Sequence, residues 1–202
     1  SGVQRIYELK RSNPDIIKGS DLYNIVRSSM IADRNLLPET LNEIVTELES
    51  KNNVKSIDRN RLILTGSVCN HPDIYQVIEE AGGVAVWDDF CTGSRYFDGM
   101  INVDGDPIIA IAERYLNRII CPAKHYNLTG RAESLLEMVK KSNADGVIFL
   151  FLKFCDPHGF DYPTLKDSLE KEGIPSMLFE VEDQHPSGEQ LKTRIEAFLE
   201  MI

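Results

Sequence analysis

Apolar and polar positions change rhythm once along this chain, near residue 60. Residues 3 to about 53 carry apolar side chains at helical spacing. Ser20 is placed to cap a segment with Leu22, Ile25, Val26, Met30 and Ile31 on one face. Pro38 suits the first turn of a following helix that groups Leu41, Ile44, Val45 and Leu48, and the polar Lys51-Asn52-Asn53 closes it.

From Arg61 onward, short continuous apolar runs alternate with helical stretches. Leu62-Ile63-Leu64 ends in Thr65-Gly66, Val84 to Trp87 ends in Asp88-Asp89, and Val147 to Leu152 and Ser176 to Val181 follow as strands. Between and after them, Pro72 to Ala81, Pro107 to Ile119, Leu128 to Ser142, Tyr162 to Glu172 and Gly188 to Met201 have helical periodicity. Gly82-Gly83 and Gly173 mark two helix ends. Strands apolar on both faces, separated by helices, predict a parallel sheet covered on both sides. Right-handed crossovers make it doubly wound. The fold class expected is α/β: a helical linker segment over 1–58, then a parallel-sheet domain over 59–202.

Composition narrows the function classes. Acidic residues number 32 against 22 basic ones, for a net charge of −10. That balance argues against a nucleic-acid surface, and its spread over helix faces reads as solubility. No stretch approaches the roughly 18 apolar residues of a membrane span. No basic-then-apolar leader opens the sequence, and Ser1-Gly2-Val3 suggests a cut chain lacking upstream residues. Four cysteines, Cys69, Cys91, Cys121 and Cys155, contain no C-x-x-C pair, so free thiols in a reducing cytoplasm are expected. The sequence has no P-loop, G-x-G-x-x-G, G-x-S-x-G or H-E-x-x-H motif. His71, His125, His158 and His185 all read as loop residues.

The cysteines gain meaning from the strands. Cys69, Cys91 and Cys155 each follow a predicted strand within a few residues, so topology brings all three to the edge where open α/β sheets bind ligands. Cys155 lies in Lys153-Phe154-Cys155-Asp156-Pro157, where Pro157 stops the extended chain. Its thiolate would gain from the next helix N-terminus and from Lys153; a buried structural thiol is the other reading. Cys91, in Asp88-Asp89-Phe90-Cys91-Thr92-Gly93-Ser94-Arg95, also has two readings. The turn cradles a phosphate or a cluster sulfur, or it is a loop pinned by Asp–Arg hydrogen bonds. Cys121, before Pro122, reads as packing; Cys69 reads as a ligand or a small apolar residue.

Several stretches together resemble one family. Leu64-Thr65-Gly66-Ser67, Glu79 to Gly83, Asp88 to Phe97, Asp145 to Phe149, Lys153 to Pro157, Phe160 to Pro163, Gly173 to Pro175 and Arg194 to Phe198 occur in the order seen in the D-component of 2-hydroxyacyl-CoA dehydratases and related benzoyl-CoA reductase subunits. The resemblance implies a flavodoxin-like domain, with a further N-terminal domain absent here. It also implies a lyase of anaerobic metabolism in which a three-cysteine [4Fe–4S] cluster, reduced by an ATP-dependent activator protein, serves radical dehydration of an acyl-CoA. The partner is a homologous second subunit or a second copy of the chain. Carried over by position, Cys155 matches a cluster cysteine. Cys91 is the second candidate for cofactor and metal binding, with Cys121 and Cys69 behind it. The other family ligands lie upstream, so this piece alone is expected to lack the cluster and the activity. A double-cubane-cluster reductase of small molecules and a cluster-free binding or assembly module are the alternatives.

Overall fold

A computed structural model describes residues 1–51, 55, 57–70, 73–118, 121–124, 128–181 and 188–202. Three helices come first: α1 (Gly2–Ser12), α2 (Gly19–Ile31) and α3 (Leu37–Ser50). The α/β part follows as β1 (Asn60–Gly66), α4 (Asp73–Glu80), β2 (Gly83–Asp89), α5 (Ser94–Phe97) and α6 (Pro107–Asn117). It continues with α7 (Leu128–Ser142), β3 (Gly146–Leu152), α8 (Asp156–Lys171), β4 (Ser176–Val181) and α9 (Gly188–Leu199). Pro72, His71, His125 and His185 fall outside the described residues.

The four strands form one sheet in the order β2-β1-β3-β4, and every neighbouring pair is parallel. Side chains alternate across it. Leu62, Leu64, Ile148 and Leu150 face a core with Ile74 and Ile78 of α4 and Ile195 and Phe198 of α9. Ile63, Val84, Val147, Phe149 and Phe151 face Leu135 and Val139 of α7 and Leu165 and Leu169 of α8. Helices therefore cover both faces, and the doubly wound, flavodoxin-like reading of the sequence holds. The order places a topological switch between β1 and β3, whose connections leave to opposite sides; such crevices at the carboxyl ends of strands are where these folds bind ligands.

The leading helices carry their own core of Val3, Ile6, Leu22, Val26, Leu41 and Leu48. They dock on the sheet through Tyr7, whose ring meets Trp87 at 5.0 Å and Phe97 at 4.8 Å between centroids.

Three local expectations change. Lys18, not Ser20, is the N-cap of α2; the helix starts earlier, where Glu79 accepts the Gly19 N–H at 2.8 Å. Helix α8 begins at Asp156 rather than Tyr162 and carries Pro163 within it. Its N-terminal residues include His158 and Asp161, polar but buried, so they break the apolar periodicity by which helices are recognised. Strand β2 runs through Asp88-Asp89, both buried, because partners reached only in the fold satisfy them.

Candidate functional site

The sheet's carboxyl edge is held together from β1 outward. Ser67 lies one residue past β1; its hydroxyl accepts the Leu152 N–H at 3.1 Å, and its carbonyl accepts the Cys91 N–H at 3.3 Å. A single residue thus ties the exits of β2 and β3 to that of β1. Gly66 permits this closeness, since a Cβ there would collide with the Leu150 carbonyl oxygen.

At this edge the two consecutive aspartates have opposite surroundings. Asp88 Oδ2 accepts the Tyr7 hydroxyl at 2.5 Å and the Tyr75 hydroxyl at 3.3 Å, while Oδ1 accepts the Ser94 N–H at 2.8 Å. Burial raises its pKa, against the pull of these donors. Burial also acts on Asp89, but Arg95 and Arg131 outweigh it and hold its carboxyl below the usual range. Arg95 clamps Asp89 with two hydrogen bonds, from Nε at 2.6 Å and Nη2 at 2.7 Å. Thr65 donates to Asp89 at 2.9 Å. Arg131 lies 3.5 Å from Asp89 and, through Nε, 2.7 Å from Asp161 on α8.

The remaining Arg95 nitrogen, Nη1, points two ways: 3.5 Å to Cys91 Sγ and 3.5 Å to His158 Nε2. Arginine only donates, so Nε2 of His158 is the accepting nitrogen and the ring proton sits on Nδ1. Burial and then the two guanidinium charges push the His158 pKa down to about 3. The imidazole is therefore a neutral wedge between α8 and the loop after β2. Reading His158 as a loop residue is thereby corrected. The signal available was Asp156-Pro157 starting a helix and carrying His158 into its first turn.

The sequence candidates are distributed along this edge as topology requires. Cys155 is the N-cap of α8, and its N–H bonds to the Leu152 carbonyl at 3.1 Å. It is half-buried at the switch point, preceded by Phe154 in a left-handed backbone conformation with its ring 95% exposed. Cys69 is 1% exposed within the core that also holds Leu62 and Ile74, and its backbone exchanges hydrogen bonds with the Thr92 side chain. That makes it a packing thiol tying two loops. Cys91 is exposed and Cys121 half-buried; both line a cleft of about 220 Å³ with Arg95, Tyr96, Tyr115 and Arg118. The turn after Cys91 is the pinned version. Gly93 N–H goes to the Phe90 carbonyl, Ser94 N–H to Asp88, and the Thr92 hydroxyl to Cys69. These three donors are occupied internally.

The donor set tests whether the residues fit a three-cysteine cluster. Among the described residues no three of His, Cys, Asp and Glu gather to hold a metal. Cys91 and Cys121 share one cleft, Cys69 lies in the core and Cys155 stands at the start of α8, so the described residues bring no three cysteines together. Among the described residues no helix is long and apolar enough to cross a membrane.

In sequence, the chain is similar to subunits of known enzymes. The chain is 31% identical over 189 residues to the beta subunit of (R)-phenyllactyl-CoA dehydratase from Clostridium sporogenes, covering 94% of this chain and 50% of that protein. It is 27% identical over 199 residues to the beta subunit of (R)-2-hydroxyglutaryl-CoA dehydratase from Acidaminococcus fermentans, covering 96% and 52%. To one of the subunits of benzoyl-CoA reductase from Thauera aromatica it is 26% identical over 207 residues, covering 99% and 53%. The chain spans about half the length of these relatives. The family described as 2-hydroxyglutaryl-CoA dehydratase, D-component, matches residues 2–202; ordered motifs, sheet topology and the match agree, and the chain belongs to that family.

Proposed function

We propose that this chain is the carboxyl-terminal part of a subunit of an acyl-CoA-processing lyase that dehydrates a 2-hydroxyacyl-CoA. Cys155 supplies one thiolate to an iron–sulfur cluster whose other ligands come from the rest of the longer protein. The observation that carries the reading is the position of Cys155: half-buried at the switch point between β1 and β3, at the amino end of α8. The thiolate is the form that binds iron. A cluster bound there would supply one-electron and Lewis-acid chemistry. The work of this chain's own residues is to orient. Ser67 fixes the spacing of the three loops. Arg95 and His158 fix the first turn of α8, and hence the height of Cys155 above the sheet. An ATP-dependent activator, a homologous second subunit and a cytoplasmic, oxygen-poor setting belong to the same proposal.

The test is anaerobic purification of the longer protein. A brown sample whose iron is lost on Cys155→Ala, with unchanged secondary structure, is expected. A folded, colourless, iron-free protein would falsify the cluster, and undiminished iron in Cys155→Ala would remove Cys155 from it. Likeness to a benzoyl-CoA reductase subunit supports a second reading, reduction of an acyl-CoA. Product analysis separates them: loss of water from a 2-hydroxyacyl-CoA against net uptake of electrons. A double-cubane reductase would hold about twice the iron of one cubane and act without a CoA ester.

A further inference from the structure

Helix α6 is surplus to the sheet. The crossover from β2 to β3 is completed by α7, whose Leu135 and Val139 cover the sheet face, and within α6 only Ala110 is buried. The helix is held from one side. Arg114 donates to the Gly99 carbonyl at 2.9 Å and the Tyr96 carbonyl at 3.1 Å, and a Cβ at Gly99 would touch the stems of Arg114 and Arg118. Ala110, Arg114 and Arg118, spaced by four, therefore form the inward strip.

The apolar residues point the other way. At about 100° per residue, Ile108, Ile109, Ile111, Ala112, Tyr115 and Leu116 fill an arc of about 160° centred opposite the inward strip. Glu113 and Asn117 fall outside it. Ile108, Ile109 and Leu116 are 74%, 60% and 70% exposed. An amphipathic helix ordinarily turns such an arc to its own core; this one turns it to solvent. Its five large side chains expose about 500 Å² on each copy, so a symmetric pair buries about 1,000 Å², the threshold of a specific interface.

The arc is complementary to itself. Antiparallel pairing about a two-fold axis at Ala112 sets Ile108 level with Leu116 of the second copy, and Ile109 level with its Tyr115. The small Ala112 at the crossing lets the two backbones close up. Asp104 and Asp106 precede the helix while Arg114 and Arg118 end it, so antiparallel pairing sets each acidic end beside a basic one. A parallel pair would oppose like ends, and an unrelated partner requires none of this symmetry.

We propose that α6 is a self-association face, through which two copies of this chain pair antiparallel about Ala112. The inference does not rest on the acyl-CoA reading.

Sedimentation equilibrium of the 202-residue chain tests it. Its mass of 22.9 kDa should double as concentration rises, with a Kd of about 1–100 μM for an interface of this size. Ala112→Glu sets like charges on the axis and should weaken pairing about tenfold or more, as should Ala112→Lys. Mixing the two variants should restore a one-to-one dimer, because residue 112 then meets its opposite charge. A strict monomer at about 500 μM overturns the proposal. So does a dimer that Ala112→Glu leaves intact, or a mixture that stays monomeric. Should the variants fail to fold, hydrogen exchange of the unaltered chain decides. The α6 amides should exchange more slowly as concentration rises; rates independent of concentration overturn the face. None of these readouts involves iron or turnover, so failure here and failure of the dehydratase reading give different results.

Discussion

Arg95 Nη1 stands 3.5 Å from His158 Nε2, and this contact joins the loop after β2 to the first turn of α8. Two segments 63 residues apart are thereby coupled through a charged group whose other nitrogens are occupied by Asp89. Cys91 precedes Arg95 in the loop, and Cys155 is the N-cap of the helix that carries His158.

Neutral His158 makes stability depend on pH with a definite sign. Its folded pKa of about 3 lies below the ordinary 6.5, so the unfolded chain takes up the proton first. The stabilisation is complete above 6.5 and is lost as pH falls from there toward 3. Compared with His158→Asn, the wild-type chain should lose about 2 kcal/mol more between pH 7 and 5. Urea unfolding at the two pH values measures it, and parallel pH curves would sink the assignment. The imidazole 15N spectrum should independently show Nδ1 protonated and Nε2 bare.

Removing the acid at the centre of the network strands the buried Arg95 guanidinium and leaves Arg131 with Asp161 alone. Asp89→Ala should cost about 3–5 kcal/mol, read from the urea midpoint. A loss below about 1 kcal/mol, the range of exposed pairs, would show that the network is hydrated rather than buried.

Tyr7 binds the helical segment to the sheet through Asp88. Tyr7→Phe keeps the ring packing on Trp87 and Phe97 but deletes the hydroxyl, so about 1–3 kcal/mol of stability should be lost. Because the deleted donor opposes the raised pKa of Asp88, that pKa should rise further. Carboxyl titration followed by NMR reports it, and a pKa that stays still or falls contradicts the bond.

Phe154 has φ of 65° with its ring 95% exposed, so its side chain contributes little packing while its backbone occupies the region that favours glycine. Phe154→Gly should leave stability unchanged or raise it by about 1 kcal/mol. A clear loss in thermal unfolding would mean that the ring is packed after all.

At Gly66 the limit is space. Gly66→Ala drives a methyl group into the Leu150 carbonyl oxygen, between paired strands that cannot part without losing ladder bonds. A loss of about 1–3 kcal/mol is expected, together with faster amide exchange at Leu152. A silent substitution would show that β1 and β3 sit further apart.

Much of this protein is determined by sequence alone. The strands are continuous apolar runs and the helices periodic ones, because a sheet covered on both faces demands apolar side chains on both. Leu62–Leu64 and Val147–Leu152 were readable for that reason, and their parallel pairing places Cys69, Cys91 and Cys155 on one edge. The place of Cys155 on that edge was legible from the strand it follows, while spacing alone left a buried thiol open and only the family resemblance made it the cluster candidate. What each cysteine touches was not legible. Cys69 enters a core, Cys91 faces a guanidinium and Cys155 caps a helix, although all three follow strands at similar spacing. The same holds for Asp88 and Asp89, adjacent in the chain yet carried by Tyr7 and Arg95 respectively. Local pattern reports which residues leave water. The partner of a buried charge is a matter of which distant elements meet, and only the packed tertiary structure decides that.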